Sequence, residues 1–208
     1  MTIVNDTADR IKLKAHALFM QYGLRSVSMD DIASGLGMSK KTIYQFYQDK
    51  DALVDDVIAT VINHNQLCCD NDKLKSEDAI HEIFLAIDMM LEMFKSMNPS
   101  ILFDMHKYYP KAFKIFLKHR DDYLFGIIKE NIKRGMEEGL YRPELKVDVM
   151  ARFRVESMML PFNPEFQLKV KENLAGVEEE ITLHFLYGLV SPKGYKLALK
   201  YQENRHKK

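Results

Sequence analysis

The stretch Ser28-Met29-Asp30-Asp31-Ile32-Ala33-Ser34-Gly35-Leu36-Gly37-Met38-Ser39-Lys40-Lys41-Thr42-Ile43-Tyr44-Gln45-Phe46-Tyr47 decides the fold. Ser28 is an N-cap residue, and Asp31 three positions on completes a capping-box variant. Met29, Ile32, Ala33 and Leu36 then give one apolar helical face. Gly37 can take the left-handed conformation that stops this helix, and Ser39 caps the next. Two short helices joined by the tight turn Gly37-Met38-Ser39 make a helix-turn-helix.

The pattern extends in both directions. Upstream, Ile11, Ala15, Leu18, Phe19 and Tyr22 form an apolar stripe, and Gly23 stands where a C-terminal cap belongs. Downstream, Asp49 caps a helix that runs from Lys50 toward Cys69, and polar residues from Asp70 to Ser76 mark a break. Further helices are expected over about 77–97, 101–108, 111–138, 144–160 and 173–190, with Pro99, Pro110, Gly139 and Pro161 as stops. The link Pro161-Phe162-Asn163-Pro164 is irregular, and a last helix from Pro192 fades into the basic tail Arg205-His206-Lys207-Lys208. No period-2 strand of useful length appears, so the fold class is all-α. The expected organisation is a three-helix helix-turn-helix domain over residues 1–50, joined to a larger helical domain over 51–208.

The helix expected over 40–47 has two unlike faces. At about 100° per residue, Ile43, Phe46 and Tyr47 gather on one side and Lys41, Tyr44, Gln45 and Gln48 on the other. The first set packs inward. The second suits a DNA duplex: an α-helix fits the major groove, where Lys, Gln and Thr read base edges, while Tyr and amide side chains hold phosphates. Lys41 and Thr42 lie at the leading end, where base contacts usually originate. Ser28 and Lys50 each lie at a helix start, where a phosphate meets free backbone N–H groups.

Residues 8–57 resemble the DNA-binding domain of the TetR-type (tetracycline-repressor) family. The resemblance rests on Ala15-x-x-Leu18-Phe19, Tyr22-Gly23, Ser28-Met29-Asp30-Asp31-Ile32-Ala33, Leu36 through Tyr47, and Lys50-Asp51-Ala52-Leu53. It implies phosphate contacts from Ser28, Tyr44, Gln45 and Lys50, and base-edge contacts from Lys40, Lys41 and Thr42, with Ser39 as the cap that starts their helix. It also implies a homodimer formed through the helices at 144–160 and 173–190, and a small-molecule effector pocket in the remainder. Three departures stand out: Lys41 fills a position that is often small, Phe46-Tyr47 reverses the common order, and Asp49 replaces a Ser-type cap.

The bulk composition narrows the partners. Thirty basic and thirty acidic residues give a formal net charge of zero, so no chain-wide basic field exists and any DNA site must be local. Residues 1–50 carry seven basic and five acidic side chains, too small an excess to argue DNA binding alone. The two cysteines, Cys68 and Cys69, are adjacent and offer no disulfide framework. The most apolar stretch, Ile83 to Phe94, is broken by Asp88 and Glu92, which argues against a membrane span. A cytoplasmic protein without membrane association is the expectation.

Candidates for the effector pocket are the Met, aromatic and His residues Met89, Met93, Phe94, Phe103, His106, Tyr109, Phe113, Phe116, Tyr123 and Met158, set against the ordinary alternative that such residues fill a core. Arg152, Arg154 and Glu156 interrupt an otherwise apolar helix. A buried Arg there could receive an acidic effector, but a solvated or dimer-edge place is the first expectation. His64 and Cys68 stand four apart, yet two ligands do not close a metal site. The pairs Asp78-x-x-His81 and Glu203-x-x-His206 lack the further carboxylates that a di-iron bundle needs. No metal, cofactor or catalytic set is expected, and the chain reads as a regulator rather than an enzyme. The helix 173–190 is apolar nearly all round, with Gly188 open to a partner helix, which fits an isologous dimer.

Overall fold

The computed structural model describes residues 7–205. These residues form helices and connecting turns with no strand; Tyr141 and Val190 make one lone antiparallel bridge. The elements are α1 (Thr7–Tyr22), α2 (Met29–Leu36), α3 (Lys40–Tyr44), α4 (Lys50–Lys75), α5 (Ala79–Phe94), α6 (Ile101–Tyr108) and α7 (Pro110–Lys118). A π-helical turn (His119–Leu124) follows, then α8 (Phe125–Glu137), α9 (Val147–Ser157), a 3₁₀ turn (Leu160–Phe162), α10 (Pro164–Lys169), α11 (Leu174–Leu189) and α12 (Pro192–Arg205). His206 and the rest of the basic tail lie outside the described residues, as does the second half of the Glu203-x-x-His206 pair.

The chain folds into two compact units. The first comprises the residues up to His64 together with Ser96–Lys118; the second comprises Asn65–Lys95 and the residues from His119 onward. The helix-turn-helix is therefore not the whole of its unit, which also takes in the N-terminal part of α4 together with α6 and α7.

In the first unit the apolar stripe of α1 is buried through Ile11, Ala15 and Phe19, and Leu24, Ile32, Ile43 and Leu53 of the same unit are fully buried as well. Burying side chains of this size contributes about 1.5–3 kcal/mol each. The caps work as the sequence implies. Ser28 Oγ accepts from the Asp31 backbone N–H at 3.2 Å, and the Asp31 carboxylate accepts from the Ser28 N–H at 2.7 Å. Gly37 ends α2 at φ +64°, a conformation that a residue with a Cβ adopts only under strain. The Asp49 carboxylate accepts from the Ala52 N–H at 2.8 Å and starts α4.

Two expectations about helix length need correction. The helix from Lys50 does not stop near Cys69 but runs to Lys75. The polar run Asp70–Lys75 is a solvated helical face, and Lys73 reaches Glu130 of α8 at 2.6 Å. Nor does the third helix reach Tyr47: it ends at Tyr44, and Gln45 and Phe46 form a turn. The span 111–138 is continuous but changes pitch at the π-helical turn, and Leu160 and Pro161 leave α9 for a 3₁₀ turn.

In the second unit, α5 is buried along Ile80, Phe84 and Ile87, and α11 along Leu186 and Leu189. Tyr141 is fully buried against Gly135, where a Cβ would collide with the Tyr141 ring. Its hydroxyl reaches Ala79 O at 3.1 Å and Asn131 Oδ1 at 3.0 Å, so a buried polar group finds partners. Asp78, half of a conceivable metal motif, is the N-cap of α5, with Oδ1 accepting from the N–H groups of Ile80 and His81 at 2.9 Å each. No helix among the described residues is long and apolar enough to cross a membrane.

Candidate functional site

The recognition segment is built from its caps outward. Ser39 Oγ accepts the Thr42 N–H at 3.1 Å and lies 2.8 Å from Thr42 Oγ1, which fixes the first turn of α3. Ile43 is fully buried and anchors this short helix to the unit's core. Lys40, Lys41, Tyr44 and Gln45 are exposed, together with Ser28 and Ser39, while Thr42 is half-buried.

Phe46 departs from expectation. Helical spacing puts it on the inward face with Ile43 and Tyr47, but it is exposed. Helical spacing stops applying once the helix ends at Tyr44, and of the two adjacent aromatics only Tyr47 turns inward. Tyr47 is buried, and its hydroxyl donates to Asp56 Oδ2 of α4 at 2.8 Å. The outward surface therefore carries two aromatic side chains, Tyr44 and Phe46, beside Lys41 and Gln45.

Two of the cations are already engaged. Lys40 Nζ meets the Asp30 carboxylate at 2.8 Å, which holds the ammonium's pKa above its ordinary value. Both side chains are exposed, so the pair is weak and opens readily toward another anion. Lys50 is half-buried. Its Nζ lies over the Tyr109 and Phe19 rings at 5.6 and 6.0 Å and reaches Arg25 O at 3.4 Å. Burial pulls its pKa below the ordinary lysine value, against the opposing pull of Asp104.

Sequence reading missed what holds the entrance of α2. Asp104 of α6 is buried and accepts from the Arg25 N–H through Oδ2 at 3.1 Å, and Arg25 Nη1 donates to the Tyr108 hydroxyl at 2.9 Å. Arg25 also stacks over the Tyr108 ring at 4.9 Å. These partners stand about eighty residues apart, so no local periodicity announces them.

The second unit holds a partly open cavity of about 160 Å³. Met89, Met93, Phe94 and Met158, four of the ten residues singled out from the sequence, line it. The other six do not. Tyr123 belongs to the same unit, but its hydroxyl is taken by Gln66 O at 2.9 Å and Asp70 Oδ1 at 2.7 Å. Phe103, His106, Tyr109, Phe113 and Phe116 fall in the first unit. There Phe103 is exposed, Tyr109 is buried, and His106 packs on Phe113 at 4.9 Å, with Phe116 at 6.3 Å from that ring.

Arg154 also lines the cavity, and its solvated or dimer-edge placement is overturned. It is buried, with Nη2 donating to Glu178 Oε1 at 2.5 Å and Thr182 Oγ1 at 2.7 Å. The cause is pairing: a guanidinium leaves water only where carboxylate and hydroxyl partners replace it. Glu178 sits 24 positions away on α11, out of reach of any local pattern. Burial raises the Glu178 pKa above the ordinary carboxylate range, and Arg154 opposes that shift. Arg152 is exposed and pairs with Asp121 at 3.0 Å, and Glu156 is exposed beside it. On another wall, Gln66 Nε2 lies 3.1 Å from His119 Nδ1. An amide nitrogen only donates, so Nδ1 accepts and the ring proton sits on Nε2. Burial holds the His119 pKa below the ordinary imidazole value. Among the described residues no three His, Cys, Asp or Glu side chains come together as a metal site.

The model for "Bacterial regulatory proteins, tetR family" matches residues 13–57, the segment that contains α2, α3 and their caps. Over 179 residues the chain is 24% identical to the uncharacterized HTH-type transcriptional regulator YvaF of Bacillus subtilis, covering 83% of this chain and 90% of that protein. It is 24% identical over 162 residues to the HTH-type transcriptional repressor KstR2 of Mycobacterium tuberculosis, covering 72% of this chain and 76% of that one. The fold matches a TetR-family transcriptional regulator from Agrobacterium tumefaciens with a TM-score of 0.74 at 15% identity, over 88% of this chain and 97% of that one. Motif, similarity along most of the chain and fold agree: residues 13–57 match the TetR-family DNA-binding segment, and the chain as a whole is similar to TetR-type transcriptional regulators.

Proposed function

We propose that this regulator is a homodimeric repressor that reads operator DNA through α3 and leaves it when a small apolar or amphipathic molecule occupies the second unit. The observation that carries the reading is the division of α3. Ile43 is fully buried while Lys41, Tyr44 and Gln45 face solvent, so a rigidly anchored helix offers groove-reading side chains. Lys40, Lys41 and Thr42 take the base edges; Ser28, Tyr44, Gln45 and Lys50 take phosphates. The repressor KstR2, to which the chain is similar along most of its length, supports the sign of the regulation.

Dimerisation is assigned to α9 and α11. Val149 and Phe153 on α9 are large apolar side chains left exposed, and a Cβ at Gly188 of α11 would meet nothing. An isologous interface covers such a face and sets two recognition helices about 34–36 Å apart, one turn of DNA. A ligand acts by preferring the state in which that spacing is lost, and only as strongly as its preference for that state.

The test is a gel shift of the full chain on the DNA upstream of its own gene, across a salt series. Specific binding whose logarithm falls linearly with the logarithm of salt concentration is expected. Binding that ignores both sequence and salt would end the reading.

A further inference from the structure

We propose that the cavity of the second unit selects a neutral, ring-sized, largely apolar ligand and rejects the carboxylate of the same ring. The inference rests on the effector reading above and narrows it to a ligand class.

Size comes first. The cavity measures about 160 Å³. An apolar cavity of roughly 150 Å³ takes benzene, so a single substituted ring fits inside, whereas a multi-ring or long-chain molecule would leave part of itself outside in solvent. The walls are soft: Met89, Met93 and Met158 contribute unbranched thioethers that adjust to a ring edge.

Charge comes second. Each ionic group on the cavity wall is already matched within the protein. Arg154 is committed to Glu178 at 2.5 Å, and Glu82 to Arg134 at 3.2 Å. His119 is neutral at neutral pH, because burial lowers its pKa. The Cys69 thiol is pushed up to about 11 and keeps its proton. An entering carboxylate would find no spare cation. To recruit Arg154 it would have to break the pair with Glu178, whose Oε2 already lacks a hydrogen-bond partner, and leave a buried anion alone. Of the two amides on the wall, Asn131 donates through Nδ2 to Ala79 O at 2.9 Å while its Oδ1 meets the Tyr141 hydroxyl, and Asn65 Nδ2 donates to the Met93 sulfur at 3.4 Å. A largely apolar wall whose charges are already matched rewards apolar contact rather than an ionic anchor.

The full chain is tested at pH 7.5 with toluene and benzyl alcohol as neutral rings, benzoate as the charged one, and dodecanol as a long neutral chain. Thermal shift and methionine-methyl NMR are the readouts. Toluene and benzyl alcohol should raise the melting temperature in a concentration-dependent way and displace methionine-methyl resonances. Benzoate should bind at least about tenfold more weakly than benzyl alcohol. Ala86 also lines the cavity, and Ala86→Leu, with Ala86→Val as the milder filling, should cut ring binding by about tenfold or more. Benzoate binding as tightly as benzyl alcohol, dodecanol binding where the rings do not, or no binding by any of the rings would overturn the proposal. Operator gel shifts run beside these measurements separate the two claims. DNA binding without ring binding removes the cavity inference alone; ring binding without DNA binding leaves it standing and removes the repressor reading.

Discussion

Arg154 of α9 donates to Glu178 of α11 at 2.5 Å, both side chains are buried, and Glu178 Oε2 has no other partner among the described residues. Removing one member strands the other charge in a poor solvent. Arg154→Ala should destabilise the protein by about 3–5 kcal/mol, whereas the pair Arg154→Met with Glu178→Leu should come within about 1–2 kcal/mol of the original. Urea unfolding of the three proteins measures this. Equal losses in the single and double variants would show that packing, not the orphaned charge, sets the cost.

His119 gives the protein a pH dependence of known sign. Its pKa is depressed by burial, so the folded state binds this proton less readily than the unfolded chain. The corresponding stability is complete above the unfolded value near 6.5 and is lost as pH falls through the lower folded value. His16 is shifted the same way, by burial and then by His64, and adds to the slope. Unfolding at pH 7.5 and pH 5.5 should therefore show a loss on acidification that His119→Gln reduces without abolishing. An unchanged loss in that variant would place the effect elsewhere.

On the proposed reading, Lys41 and Tyr44 should separate base reading from phosphate holding. Lys41→Ala should alter which operator variants are preferred, by about 1–3 kcal/mol at the base pair it contacts. Tyr44→Phe should weaken every sequence alike, since it removes one hydroxyl from a backbone contact. Competition binding against an operator library distinguishes them; uniform weakening by Lys41→Ala would remove its reading role.

Ser28 both accepts the Asp31 N–H and has its own N–H bonded by the Asp31 carboxylate. Ser28→Ala should cost about 0.5–2 kcal/mol of stability through the loss of this cap, and Ser28→Gly should cost less. Thermal unfolding with operator binding on the same samples checks whether the loss also reaches the DNA.

Most of the architecture was legible because it is written locally. Caps at Ser28, Ser39 and Asp49 and the stop at Gly37 depend on neighbours within four positions, and each appears where the sequence places it. What escaped was non-local. Nothing near Arg154 announces Glu178, and nothing near Arg25 announces Asp104. Helical spacing gives Phe46 and Tyr47 one fate, but the helix ends three residues before Tyr47. Only four of ten proposed pocket residues reach the cavity, since Met and aromatic side chains fill a core as readily as they line a void.

The Asp104 contact bears on how this protein can be dissected. Asp104 reaches back to Arg25, and Asn98 donates its backbone N–H to Met20 O at 2.7 Å, so a segment near the middle of the chain splints the joint between the first two helices. A fragment cut at His64 would keep every residue of the reading head yet lose that splint. Its weakened grip on DNA would report the missing brace rather than the side chains that meet the groove.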